Sequence, residues 1–139
     1  MKPDIVLDTN VLLTALKSSK GTSFRLLSMV DSDRFQLHVS TTLVEEYEAV
    51  LKRGLLTLSA QQIDDVVDFL CARATHHKIY YLWRPVLKDP GDDFVLELAV
   101  KAQARIITWN VADFKRSQSL GVLVQTPKEF LNFLEGKQP

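Results

Sequence analysis

Five carboxylates stand where apolar runs meet turn or capping residues. Asp8 ends the run Ile5-Val6-Leu7, Glu46 lies within two turns of a helical stretch that follows Ser40, Asp92 and Asp93 come after Pro90-Gly91, and Asp113 follows Arg105 to Thr108. Carboxylates held within a few ångströms repel one another, and without compensation some must take up protons near neutral pH. A divalent cation resolves the conflict. With oxygen ligands and no suitable Cys or His set, the hard ions Mg²⁺ and Mn²⁺ are preferred over zinc. Such an ion lowers the pKa of a bound water, orients it and neutralises charge building on a phosphodiester, so the chemistry open to this set is phosphodiester hydrolysis. Each residue also has a plainer role: Asp8 as a helix cap, Glu46 as a solvated helix residue, Asp92 and Asp93 as a pair favoured by a helix dipole, Asp113 as a turn residue. Their joint placement is less easily set down to five separate roles, and spacing alone leaves the metal site and the plainer roles evenly balanced.

The elements that must position them follow from periodicity. Ile5 to Leu7 reads as a buried strand, and Asp8, Thr9 and Asn10 offer caps for a helix through Val11, Leu12 and Leu13. A second helix is expected over Phe24 to Val30, and a second strand at Leu37 to Val39, closed by Ser40, Thr41 and Thr42. Leu43, Tyr47, Val50 and Leu51 then recur at helical spacing, as do Ile63, Val66, Val67 and Leu70 after Ser59. Ile79 to Leu82 is the expected third strand. Phe94, Val95, Leu98, Ala99 and Ala102 resume helical spacing, Arg105 to Thr108 gives a fourth strand, and Val122 to Val124 a fifth. Pro127 suits the first turn of a last helix carrying Phe130, Leu131 and Leu134. Strands alternating with helices imply an α/β chain with a mostly parallel sheet of about five strands, covered on both faces. In such sheets ligands sit beyond the carboxyl ends of the strands, where the strand order reverses.

Composition sets the remaining bounds. The 139 residues carry 17 basic and 17 acidic side chains, 46% apolar residues, five Gly and five Pro, which excludes a disordered or collagenous chain and a bulk polyelectrolyte binder. One domain over 1–139 is expected at this length. Cys71 is the single cysteine, so no intramolecular disulfide or zinc-ribbon spacing exists. Charged residues interrupt every apolar run before the roughly 20 residues a membrane span requires. With no basic segment and apolar core before Leu7 to serve as a secretion signal, the expectation is a cytoplasmic protein that engages no membrane.

Four segments carry a resemblance. Asp8-Thr9-Asn10-Val11-Leu12, Ser40 through Glu46-Tyr47 to Val50-Leu51, Asp89-Pro90-Gly91-Asp92-Asp93 to Leu98-Ala99, and Thr108-Trp109-Asn110 to Asp113-Phe114 resemble PIN-domain proteins. The likeness is greatest to the VapC-like toxin components of bacterial toxin-antitoxin pairs, and it extends from the first strand to Pro127 and Phe130. The resemblance implies a three-layer α/β/α fold and a metal-dependent endoribonuclease, the toxin of a type II pair. It carries the family's acidic positions onto Asp8, Glu46, Asp92 and Asp113, with Asp93 assisting. Asp89 is a more distant candidate, and the match to the Glu-Tyr pair selects Glu46 over Glu45 and Glu48. Asn10, Thr108 and Asn110 fall in supporting positions. Asn110 stands where a second acid is often found, and a neutral amide is a weaker ligand for any second ion. Water attack in such an enzyme leaves 5′-phosphate and 3′-hydroxyl ends. A cognate antitoxin covering the acidic cleft and a homodimer are further implications of the likeness.

Substrate contacts and rival readings complete the expectations. Lys115 and Arg116 follow Asp113 and could meet phosphates at a cleft rim, although a solvated loop is the plainer reading. Trp109, between Thr108 and Asn110, could stack an unpaired base or pack beneath its loop. Trp83 and Arg84 are equally ambiguous. The formal charge is −3 over residues 1–70 and +3 over 71–139, a modest asymmetry. His76 and His77 fit a helix C-terminal or solvated role, and His38, alternating with Leu37 and Val39, receives no chemistry. The chain partly resembles haloacid-dehalogenase-like phosphatases, with Asp8 as nucleophile, Lys88 near the site and Gly91-Asp92-Asp93 as metal motif. Asn10 occupies the position of that class's general acid. The other alternative is a PIN fold that binds RNA or a protein partner without cutting.

Overall fold

The computed structural model describes residues 2–79 and 93–136, with the backbone alone at Asp93, Arg116 and Gln118. The elements run β1 (Asp4–Leu7), α1 (Thr9–Lys17), α2 (Thr22–Ser28), β2 (Gln36–Ser40), α3 (Thr41–Leu51), α4 (Ala60–Arg73), β3 (Thr75–His77), α5 (Asp93–Ala102), β4 (Arg105–Ile107), β5 (Val124–Gln125) and α6 (Pro127–Leu134). Capping chemistry sets several boundaries. Ser40 accepts from the Leu43 amide to start α3, Ser59 and Gln62 form a reciprocal capping box on α4, and Thr126 and Glu129 do the same on α6, where Pro127 occupies the first turn.

The five strands form one parallel sheet in the order β3-β2-β1-β4-β5, flanked by helices in a three-layer α/β/α arrangement. Chain direction across the sheet changes once: β1 to β3 proceeds one way, β4 and β5 the other. Right-handed crossovers therefore put α1 to α4 on one face and α5 on the opposite one. The packing of α1 on α2 and α3, of α3 on α4, and of α5 across β1 to β4 agrees with this. The reversal falls between β1 and β4, whose register pairs Leu7 with Ile107. Asp8 and Thr108, the next residue of each strand end, thus emerge side by side.

Burial on both faces explains why these strands are apolar without alternation. Ile5, Val6, Ile106 and Ile107 are fully buried between the two helical layers, and α5 closes one face with an equally buried set, Val95, Leu96, Leu98 and Ala99. Each such side chain withdrawn from water contributes about 1.5 to 3 kcal/mol. This core fixes the carboxyl ends of β1 and β4.

Two expectations shift. The strand beside β2 is Thr75–His77 rather than Ile79–Leu82, and residues 80–82 lie outside the described residues. α4 ends at Ala74 in an extended conformation, so the chain pairs at once with His38 to Ser40; the polar edge residues there gave no apolar signal. β5 forms one to two residues later than Val122 to Val124, because Thr108 and Ile106 draw their partners from Gln125 and Leu123. Trp83, Arg84, Lys88, Asp89 and Asp92 also lie outside the described residues. Among the described residues no helix is long and apolar enough to cross a membrane.

The histidines have definite places. His76 Nε2 donates to the Cys71 carbonyl in the last turns of α4, a C-terminal role of the expected kind. His38 is buried, with Nε2 2.8 Å from Asp4 Oδ1 and Nδ1 2.8 Å from His77 Nε2. With Asp4 accepting from Nε2, a neutral His38 accepts at Nδ1 from His77. Burial, then the neighbouring His38, lowers the His77 pKa. This chain ties β1, β2 and β3 together near the sheet edge.

Candidate active site

Asp8 is both the end of β1 and the N-cap of α1, a double role that fixes its carboxylate. Oδ1 accepts from the Thr9 amide at 2.9 Å, while Oδ2 accepts from the Thr108 hydroxyl at 2.8 Å and from Asn10 Nδ2 at 3.3 Å. Asn10 Nδ2 also lies 3.2 Å from Thr108 Oγ1, and its own Oδ1 accepts from the Trp109 amide at 3.1 Å. Thr108 Oγ1 in turn accepts from the Asn110 amide at 3.0 Å. The loop after β4 is thereby laced to the turn after β1 through side chains that sequence reading had put in supporting positions.

Glu46 reaches the same place from α3. Thr9 donates its hydroxyl to Glu46 Oε2 at 2.5 Å, so one residue bonds to Asp8 through its amide and to Glu46 through its side chain. Tyr47, the next residue, is fully buried and donates its hydroxyl to the Leu7 carbonyl at 2.5 Å, which anchors α3 against the end of β1. Burial, then the charges of Asp8 and others, pushes the Tyr47 pKa well up, so the phenol keeps its proton. Asp113 lies in the first turn of the irregular helical segment Val111–Leu120, its amide bonded to the Asn110 carbonyl at 3.0 Å.

The electrostatics show three acids within mutual influence. The Asp8 carboxyl, 7% exposed, has its pKa raised from the ordinary value chiefly by burial, with Glu46 and Asp113 adding to the rise; the bonds from Thr108 and Thr9 partly offset it. Asp8, with Glu46 and Asp113 near enough to raise its pKa, offers carboxylate oxygens of the kind a hard cation takes. Among the described residues no three of these groups stand at ligand spacing, and Glu46 is turned toward Thr9. Asp92 lies outside the described residues and Asp93 is described only as the first residue of α5.

Of the remaining expectations, Lys115 is exposed and Asn110 is exposed at the loop tip. Trp109 is partly exposed at 39% and partly packed: Nε1 donates to Ser23 Oγ at 2.8 Å and to Thr14 Oγ1 at 3.1 Å. Sequence reading missed three participants. Thr9 reads from the sequence as a cap alone, Thr14 and Ser23 carry no reading there, and their cross-element bonds leave no trace in spacing. Glu97, a buried carboxylate on α5, was passed over because Val95, Leu98 and Ala99 defined the helical stripe. Two hollows flank this region differently. One of about 360 Å³ adjoins Trp109; a larger one of about 630 Å³, lined by Asp4, Arg105 and Leu123, lies at the amino ends of the strands, away from the acids.

The fold belongs to a known class. The family model of the PIN domain matches residues 4–112, and the chain belongs to the PIN-domain family. Among solved structures its fold is similar to a chain of VapBC2 from Rickettsia felis bound to a DNA fragment from their promoter. That match has a TM-score of 0.62 at 13% identity and covers 88% of this chain and 98% of that one. It is also similar to a chain of FitAB bound to an IR36 DNA fragment (TM-score 0.60, 15% identity, 88% and 94% covered). FitAcB from Neisseria gonorrhoeae is similar as well (TM-score 0.59, 15% identity, 89% and 98% covered). No curated protein matches the sequence significantly.

Proposed function

We propose that this chain is a metal-dependent endoribonuclease and the toxin component of a type II toxin-antitoxin pair. The observation that carries the reading is the buried Asp8 carboxylate, locked by Thr108 and Thr9 at the sheet's reversal point and raised in pKa in part by Glu46 and Asp113. Membership of the PIN-domain family and the fold shared with chains of VapBC2 and FitAB support it. In this reading Asp8, Glu46, Asp92 and Asp113 hold Mg²⁺ or Mn²⁺, with Asp93 assisting. The chemistry such an ion supplies is a water of lowered pKa and charge neutralisation at the phosphodiester.

The chain's own groups do the positioning. Thr9 and Thr108 aim the two Asp8 oxygens, and Asn10 braces Thr108 so that the carboxylate cannot rotate away. Thr9 keeps Glu46 within reach on α3. Attack of water on phosphorus with cleavage of the P–O3′ bond leaves a 5′-phosphate, and the departing oxygen takes up a proton to become a 3′-hydroxyl. Lys115 and Arg116 follow Asp113 in sequence and are suited to flanking phosphates. A cognate antitoxin covering the acidic cleft, a homodimeric assembly and a cytoplasmic location belong to the same reading.

The test is to incubate the pure protein with single-stranded RNA and, separately, with a small phosphate monoester, each with Mg²⁺, Mn²⁺ or EDTA. The expected result is metal-dependent RNA cutting with 5′-phosphate ends, lost in Asp8→Asn. Monoester turnover without RNA cutting would instead favour the phosphatase class. RNA binding with neither reaction would favour a non-cleaving module, the role that Asn110 in place of a second acid keeps open.

A further inference from the structure

The hollow beside Trp109 has the properties of a ligand site separate from the acids. Trp109 follows Thr108, which is fully buried and bonded to Asp8, so the ring stands one residue from the candidate centre. Its position is fixed at both ends. The backbone amide donates to Asn10 Oδ1 and Nε1 donates to Ser23 and Thr14, whose hydroxyls lie 2.7 Å from each other. The nitrogen edge is thus tied inward, while the residue remains 39% exposed and lines the hollow. An anchored indole offers a flat apolar platform with little further ordering to lose on binding.

The rest of the pocket matches such a platform. About 360 Å³ of space is bounded by Trp109, Ser18, Gly21 and Thr22, and among the described residues Lys17 is the one charged side chain lining it. No carboxylate among the described residues lines it, in contrast with the neighbouring acids Asp8, Glu46 and Asp113. The Thr14 and Ser23 hydroxyls are already paired with each other and with the indole, so the surface demands π contact more than a particular hydrogen-bond pattern. A flat ring carrying a phosphate within reach of an ammonium group meets these conditions, and every nucleobase has a π-face.

We propose that this pocket binds an unpaired nucleobase of a single-stranded RNA. The base stacks on Trp109, and Lys17 meets an adjoining phosphate while the strand passes the acidic centre. The proposal rests on the nuclease reading for the identity of the strand, and it implies weak base preference at the stacked position.

Binding of a short fluorescent single-stranded RNA, measured by anisotropy in EDTA so that no cutting occurs, tests it. Trp109→Ala should weaken binding by about fivefold or more, the range that loss of one base–aromatic stack gives. Trp109→Phe keeps a ring without the indole nitrogen and should retain most of the affinity. Gly21→Leu is the independent variant: a Cβ at Gly21 meets nothing nearer than the Ser18 carbonyl oxygen at 3.8 Å, and its φ of −87° suits any residue. It should fold normally, fill the pocket and weaken binding as Trp109→Ala does. One abasic position in the RNA should reproduce the loss in the unaltered protein and add nothing in Trp109→Ala. Unchanged binding by Trp109→Ala and Gly21→Leu overturns the proposal, as does Trp109→Phe falling as far as the alanine variant, which would assign the effect to the lost Nε1 bonds. Loss of a protein partner's binding with RNA binding intact also overturns it, in favour of a protein-docking surface. The two readings separate on adding Mn²⁺: RNA bound at Trp109 but left uncut refutes the nuclease and leaves the pocket standing, whereas cutting by Trp109→Ala at an unaltered KM does the reverse.

Discussion

Thr108 donates its hydroxyl to Asp8 Oδ2 at 2.8 Å across a hundred residues of sequence, joining the ends of two adjacent parallel strands at the point where strand order reverses. Both side chains are buried, so the bond acts in a setting of low dielectric and restrains the carboxylate more than a surface contact would.

Thr108→Val removes the donor while keeping the shape. The hydrogen bond to a charged group contributes about 1.5–3 kcal/mol, and its loss should lower the melting temperature measurably. Because this bond lowers the Asp8 pKa, its removal lets burial raise it further, and in EDTA the pH at which Asp8 ionises, read by carboxyl carbon NMR, should move up.

Asp8→Asn should abolish cleavage yet stabilise the metal-free protein near neutral pH. The Asp8 pKa is higher folded than unfolded, so between the two values the folded state retains a proton that the unfolded state has lost. Stability from this group is therefore fully present below the unfolded value and falls as pH rises through the folded one. Asparagine carries no charge to bury. Thermal melts in EDTA across pH 4–8, a range of about four units around a carboxylate's reach, should show the variant's advantage growing with pH; an advantage that shrinks with pH contradicts the assignment.

Tyr47→Phe tests the anchor between α3 and β1. Losing the bond to the Leu7 carbonyl should cost about 0.5–1.5 kcal/mol, read by denaturant unfolding, with the slope unchanged. Since the phenol lies behind Glu46 and keeps its proton, cleavage should persist at a rate within about tenfold of the parent, the factor set by 1.4 kcal/mol.

The architecture was legible in the sequence where periodicity and caps agreed. Ser40 and Ser59 start α3 and α4 and Pro127 sits in the first turn of α6 as their positions predict, and the runs Ile5-Val6-Leu7 and Arg105 to Thr108 supply adjacent central strands, the second ending at Ile107. β3 was misplaced because an edge strand of Thr75, His76 and His77 has no apolar pattern, its pairing being stabilised by the ladder to β2 and the His38–His77 contact. At the site, strand-end position was enough to single out Asp8, while Asn10 and Thr108 entered only through the family resemblance. The dual bonding of Thr9, and the anchoring of Trp109 by Thr14 and Ser23, depend on how α1, α2 and α3 pack against one another, which spacing along one element does not encode.

The central claim is that Asp8 and Glu46 share a divalent cation at the end of the sheet. Titrating Mn²⁺ into the metal-free protein and following the free ion by electron paramagnetic resonance tests it without reliance on turnover. The account predicts specific Mn²⁺ binding at neutral pH that is lost, or weakened by about tenfold or more, in both Asp8→Asn and Glu46→Gln, since each removes a charged ligand. Mn²⁺ binding unaltered by either substitution would contradict it.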